Sequence, residues 1–359
     1  MIQLQDPVAR APWYDKVEKW LGPFAKDSRD LPFVALTFSA LLVLVPFAVV
    51  LFLDVGFSPW LGIAYLAVLL GGFVDKYTLM LHCTSHRRLF AKRFSALNQL
   101  IPLGLAPFMG QTPYTYYAHH IGMHHTENNL TPDLSSTLRF DRDSLRGFLR
   151  YFGRFFCFGI VELAQYHYQR GHTKLFRRAV LGELGWYAGV IALAYLNFAA
   201  ALVVFIIPLV LIRFLMMAGN WAQHAFVAAD EPANPYRNSL TCINTRYNRR
   251  CYNDGYHAGH HVKANRHWTE MPGDFERNLA TYRDEGAVVF EGIDYTQIWA
   301  LLMFKRYRTL ARHFVELRQT PRTEAEIIVF LRGRTRRIGP TPVKTAERVV
   351  AGVPAGAST

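Results

Sequence analysis

Residues 33–53 read FVALTFSALLVLVPFAVVLFL, an apolar run without one charged side chain. At the helical rise of about 1.5 Å per residue, such a run is as long as the hydrocarbon core of a bilayer is thick. A short break, Asp54-Val-Gly-Phe-Ser-Pro59, follows it. Residues 60–80 form a second apolar run, with Asp75 and Lys76 near its end. The apolar run at 180–218 is too long for one crossing, and Asn197 near its middle is a natural turn that divides it into spans 180–196 and 198–218. The fold class predicted is an all-α membrane protein with four transmembrane helices in two hairpins.

Charge gives the chain an orientation. Lys and Arg are absent from the short turns near 54–59 and 197. They gather in the N-terminal segment, in 87–178 and from 213 onward. Under the positive-inside rule those three regions face the cytoplasm. Residues 1–32 are then a cytosolic or interfacial segment, and 33–333 a membrane domain whose parts 81–179 and 219–333 form a cytosolic helical cap. Residues 334–359, rich in Pro, Gly, Ala, Thr and Arg, are expected to be a disordered tail. The stretches near 96–109 and 151–165, and the Trp13–Phe24 segment, read as interfacial helices. A net charge of +13 with 14% aromatic residues is compatible with nucleic acid, an anionic membrane surface or an acidic protein partner. No zinc-finger, RNP-like or helix-turn-helix pattern is present, so nucleic acid is set aside. Cys83, Cys157, Cys242 and Cys251 are scattered, with no C-x-x-C pair, and read as reduced thiols.

The chemistry lies in four clusters: His82-Cys-Thr-Ser-His86, His120-Ile-Gly-Met-His124-His125, Asn220-Trp-Ala-Gln-His224 and His257-Ala-Gly-His260-His261. On a helix, residues three or four apart face the same way, so two imidazoles can reach one metal. Nine histidines are too many for one ion and suit two. The topology brings all four clusters to one side of the membrane, as a shared dinuclear site requires. Asn220 could bind through its amide oxygen, directly or through water, or simply pack between helices. His167 and His172 have ligand-like spacing with no neighbours to join and read as structural. His119 points about 100° away from His120 on a helix, and His267 and His313 read as packing or surface residues. Zinc hydrolases pair three ligands with a catalytic Glu in H-E-x-x-H, which is absent here. A histidine-rich pair of irons has the redox couple that zinc lacks and can activate dioxygen. Glu127, Asp133, Asp254 and Asp75 are candidates to orient the imidazoles.

The three boxes, HX3H at 82–86, HX3HH at 120–125 and HX2HH at 257–261, together with NX3H at 220–224, resemble the integral-membrane fatty acid desaturase and hydroxylase superfamily. Asp133 after the second box, and His267-Trp268 and Pro272 after the third, agree with it. The resemblance covers residues from about 33 to 275. It implies a four-helix stem capped by a cytosolic domain that holds two irons. It carries ligand roles onto His82, His86, His120, His124, His125, His224, His257, His260 and His261, with Asn220 acting through water. No catalytic residue beyond the ligands is implied. The reaction implied uses dioxygen and two electrons on an unactivated C–H bond of a lipid or acyl substrate.

The box spacings HX3H and HX3HH are also those of membrane alkane hydroxylases, whereas Leu89 through Tyr117, with Asn98 and Pro107, reads like acyl-lipid desaturases. Desaturation of an acyl chain is favoured. Hydroxylation or ketolation of a lipid, alkane or carotenoid is the alternative, and a membrane metal transporter the remote one. There is no GxGxxG fingerprint and no cytochrome b5 signature, so electrons would come from a separate donor of ferredoxin or cytochrome b5 type. Arg87, Arg88, Lys92, Arg93, Arg246, Arg249 and Arg250 could dock such an acidic partner, or meet anionic lipid headgroups.

Overall fold

A computed structural model describes residues 2–54 and 57–340. Among them four helices are long and apolar enough to cross a membrane: α1 (Ser28–Leu53), α2 (Pro59–His86), α5 (Thr173–Leu196) and α6 (Phe198–Gln223). Two helices lie between α2 and α5: α3 (115–127), which carries the second histidine box, and α4 (Leu145–Gln169). A short helix, α7 (His257–Val262), carries the third box.

Local chemistry sets the helix ends. The Asp54 carboxylate accepts from Ser58 N at 2.6 Å, and Pro59 starts α2 at a position where no amide hydrogen is needed. Asn197 separates α5 from α6, and its Oδ1 accepts from Ala200 N at 3.0 Å, a side-chain cap. Its Nδ2 reaches the carbonyl of Leu51 at 3.4 Å, which brings the α5–α6 turn beside the end of α1.

Leu44 of α1, Tyr65 of α2, Trp186 of α5 and Val204 of α6 belong to one buried cluster. On their outer faces these helices expose large apolar side chains, among them Leu42, Ile63, Leu184 and Val210. A contiguous apolar surface of this kind is stable in contact with lipid, not water.

All four helices reach further than the apolar runs predicted, α1 starting at Ser28 rather than 33. α2 continues past residue 80 to His86, α6 past 218 to Gln223, and α5 starts at Thr173 rather than 180. Asn220 therefore sits on the last helical turns of α6, not beyond them. Hydropathy marks only the part of a helix that can lie in lipid, whereas backbone hydrogen bonding continues into polar sequence. The stretch expected as a short interfacial element at 151–165 is part of the 25-residue helix α4. Residues 96–109 form a succession of short 3-10 and π turns.

The expectation of an all-α fold needs one correction. Strands β1 (Leu240–Ile243) and β2 (Val288–Glu291) pair in parallel, with Leu240 opposite Val288 and Cys242 opposite Phe290. Four-residue apolar runs are too short for periodicity to separate strand from helix. The pair is buried against Phe226, Ile298 and Leu310.

Arg142, fully buried, ties this part of the chain together. Its guanidinium donates to the carbonyls of Ala225 (2.9 Å), Phe140 (3.2 Å), Arg334 (3.0 Å) and Arg336 (2.7 Å). Burial brings it down to about 10, so it is still a cation at neutral pH. These bonds also fasten residues 334–336, the first part of the segment expected as a disordered tail. Arg334 ends a helix, Thr335 is buried, and Ile338 N donates to Leu138 O at 2.9 Å. The remainder, from 341, lies outside the described residues. Arg142→Ala removes these bonds and leaves several buried carbonyls unpaired, each costing about 1–3 kcal/mol. A loss of at least about 3 kcal/mol is expected, read as a large fall in melting temperature in detergent; an unchanged melt would refute it.

Candidate metal centre

Nine histidines converge into two buried nests. His82, His86, His120, His125 and His260 form one; His124, His224, His257 and His261 form the other, and within each nest the ring nitrogens lie within 4.8 Å of one another. Their Nε2 atoms face inward. In the first nest His82 is 2.8 Å from His260, His86 3.2 Å from His120, and His125 3.1 Å from His120 and 3.0 Å from His260. In the second, His257 is 3.3 Å from His224 and 3.0 Å from His261. All four sequence clusters contribute a histidine.

The partition differs from the one-turn rule used on the sequence. His82 with His86, and His257 with His261, do share a nest at four-residue spacing. His120 and His124, also four apart, are divided between the nests, while His120 and His125, five apart, share one. The cause is local: residues 120–124 of α3 form a π turn, in which His125 N bonds to His120 O. A wider turn aligns residues five apart, and single π turns are frequent at functional sites. The turn is packed tightly. A Cβ on Gly122 would sit 2.7 Å from both His167 Cε1 and Leu175 Cδ1, and His167 Nε2 donates to Ala118 O at 3.0 Å.

Partners at Nδ1 fix the tautomers. His82 Nδ1 meets Asp254 Oδ1 at 3.1 Å, His124 Nδ1 meets Asp133 Oδ2 at 2.7 Å, and His224 Nδ1 meets Asn238 O at 2.9 Å. Carboxylate and carbonyl oxygens only accept, so each Nδ1 carries the proton and each Nε2 presents a lone pair inward. Burial would raise the Asp133 carboxyl, but His124 and the Ser135 hydroxyl outweigh it and hold it at about 2. Asp254 also accepts from Tyr247 Oη at 2.8 Å. Of the other two candidate carboxylates, Glu127 is occupied by Tyr166 and Arg170, and Asp75 by Arg250. Asn238 and Tyr247 carry no signal in the sequence, since each acts from a segment remote from the boxes.

Lone pairs aimed at a common point repel unless a cation lies between them. The set fits metal ions on that ground. Burial, followed by the neighbouring rings, pushes His120, His125, His257, His260 and His261 well below the ordinary imidazole value; burial and His124 bring His224 to about 4. Neutral imidazole is the form that binds metal. The Asn220 Nδ2 donates to Tyr151 Oη at 2.6 Å and Ser135 O at 3.2 Å, and Asn220 lines the cavity onto which the nests open. His119 lies beside His124, its Nε2 buried and unpartnered, while His267 pairs with Asp30 at 3.1 Å and groups with Asp27 and Asp30 rather than with the other histidines.

A cavity of about 240 Å³ opens on the nests, lined by His82, His120, His124, His257 and Asn220 and walled by Leu79, Ile160, Leu163 and Met217. Compared with known protein families, the chain matches "Fatty acid desaturase" over residues 58–292, well over half its length. The chain belongs to the fatty acid desaturase family. No curated protein and no solved structure matched it. Membership makes this a membrane protein with oxidoreductase activity of the desaturase or hydroxylase type. The histidine clusters of this desaturase-family protein are those that could hold its metal.

Depressed histidines set a pH dependence. In the metal-free fold they bind fewer protons than in the unfolded chain, whose imidazoles titrate near 6.5, so stability is present above about pH 6.5 and falls below it. Each neutral histidine contributes up to about 1.4 kcal/mol per pH unit below that point. After chelation, melting temperature should fall steadily from pH 7 to pH 5; a flat profile would contradict the neutral assignment.

Proposed function

We propose that this protein is a dioxygen-dependent fatty acyl (acyl-lipid) desaturase with two irons. One would be held by His82, His86, His120, His125 and His260, the other by His124, His224, His257 and His261, with Asn220 acting through water. The observation that carries this reading is the pair of buried imidazole nests facing one apolar cavity. Iron bound there supplies the redox chemistry by which dioxygen and two electrons remove hydrogen from an unactivated C–H bond.

The protein's own part is positioning. Asp133, Asp254 and Asn238 keep the Nε2 lone pairs turned inward. Leu79, Ile160, Leu163 and Met217 bind a methylene chain and exclude water. The four apolar helices form two hairpins, with the remaining described segments as a cap on the cytoplasmic side, a reading supported by the Lys and Arg distribution. Electrons come from a separate acidic carrier of ferredoxin or cytochrome b5 type, which docks on basic residues such as Arg88, Lys92 and Arg246. Arg87 and Arg250 are less available, being paired with Asp30 and Asp75.

Expression in a host lacking the activity, followed by lipid analysis, tests the reading. Loss of two hydrogens from an acyl chain is expected, with about two irons per chain. Gain of an oxygen atom would instead assign hydroxylation, the alternative raised by the HX3H and HX3HH spacing that membrane alkane hydroxylases also have. Unchanged lipids from an iron-loaded protein with a competent donor would reject both. Transport of metal is disfavoured because the histidines gather at and beyond helix ends rather than along the spans.

A further inference from the structure

The same cavity has a second polar end. Glu183 of α5 and Arg213 of α6 both line it, both are buried, and they pair at 3.4 Å. Arg213 Nη2 also donates to Thr112 Oγ1 at 3.2 Å, and Glu183 Oε2 accepts from Thr112 and from Thr115 at 3.2 Å. Gln111, buried at the same end, has only the thioether of Met216 near its Nε2, at 2.9 Å. Sulfur is a weak acceptor, so this amide is poorly satisfied. Arg213 precedes Asn220 by seven residues, which places this group roughly 10 Å along α6 from the histidine end.

A charged pair between spanning helices is expensive, and packing alone does not need one. Apolar residues of similar volume commonly hold helices at least as well. Ionisable side chains within spans point to a functional site by default, a substrate path among them. The fold also maintains close contact here: a Cβ on Gly182 would collide with Pro113 O, so glycine lets α5 approach the loop that carries Thr112. Gly182→Ala should cost about 1–3 kcal/mol through forced separation, read as a lowered melting temperature; full stability would show that the approach is dispensable.

Resting on the acyl-chain reading above, the geometry points to Glu183, Arg213 and Gln111 as a specificity site for a neutral oxygen-bearing group, a hydroxyl or carbonyl, on the substrate chain. Arg213 and Gln111 offer donors and Glu183 an acceptor. The pair already sums to zero charge, so a carboxylate would add an uncompensated charge in an apolar setting. A plain methylene at that end would face desolvated polar atoms without pairing them. The preferred substrate is therefore an oxygenated chain, with the oxygen held about two helical turns from the reacting carbon.

Binding, not turnover, tests this. Purified full-length protein in detergent would be titrated with methyl octadecanoate and with its derivatives bearing one hydroxyl at carbon 6, 12 or 18, by displacement of a fluorescent octadecanoyl probe. At least one hydroxylated ester should bind about tenfold more tightly than the plain ester, the size of one added hydrogen bond to a charged group. The double variant Glu183→Leu, Arg213→Met should bind all four alike. Equal affinities in the natural protein would overturn the proposal without any variant, and so would a preference that survives in a folded double variant. Because the readout ignores activity, a chain that fails to desaturate leaves this test intact, and failure here leaves the desaturase reading standing.

Discussion

Replacing His260 by alanine is expected to abolish product formation while leaving the protein inserted in the membrane. His260 Nε2 stands 2.8 Å from His82 and 3.0 Å from His125, so its ring closes the first nest from the far side of the sequence. Without it, four imidazoles from α2 and α3 remain. The loss should exceed the roughly 10–100-fold typical of a change behind the ligands. Iron should fall from about two per chain to about one, because the second nest is left whole. His124→Ala should produce the converse pattern, emptying the second nest and sparing the first. Iron analysis of both purified variants, with lipid product measured alongside, checks the pair. Activity retained in both, or two irons retained in both, would remove these residues from the ligand set.

The second large effect is expected at Asp133→Asn. Every oxygen of Asp133 acts as an acceptor: Oδ2 receives His124 Nδ1 at 2.7 Å and Asn129 N at 3.0 Å, and Oδ1 receives Ser135 N at 2.8 Å and Ser135 Oγ at 2.7 Å. An asparagine must turn its NH2 toward one of these two sets of donors, whichever way it is rotated. One side then loses its acceptor, at a cost of about 1–3 kcal/mol for the unpaired buried group. The other consequence falls on His124, which loses the negative charge that secures its Nδ1–H tautomer. A reduction of about 10–100-fold in metal affinity or activity follows. Isothermal titration with ferrous iron under anaerobic conditions, together with a melt of the apoprotein, measures both parts. Unaltered affinity would mean that His124 needs no such support. Asp254→Asn, behind His82, provides the parallel case in the first nest.

Much of the site could be read from residue order because its members are rare and clustered. All nine histidines singled out on the sequence lie in the two nests, while His167, His267 and His313 lie elsewhere. Asn220 was legible as polar at the end of a span, yet whether its amide faces a metal or a neighbouring helix depends on Tyr151 and Ser135, which sit far away in the chain. Two of the four carboxylates named as orienting groups do touch an imidazole, and two are bound by arginines instead. Proximity along the chain cannot distinguish these outcomes. The parallel strand pair and the fastening of residues 334–336 by Arg142 were illegible for the same reason: each rests on partners more than forty residues apart.

Number and approximate position of the apolar helices follow from local composition, since a bilayer crossing requires only an unbroken run of apolar residues of fixed length. That several imidazoles could share a metal follows likewise from residue type, because the histidines recur at three- and four-residue spacing. How His120, His124 and His125 divide between the nests was decided by a single π turn in α3, a backbone feature that spacing alone does not announce. The tautomers were decided by Asp133, Asp254 and Asn238, and the polar end of the cavity by Glu183 meeting Arg213 across two helices. These are contacts between side chains distant in sequence, and they come into being only when packing brings the helices together.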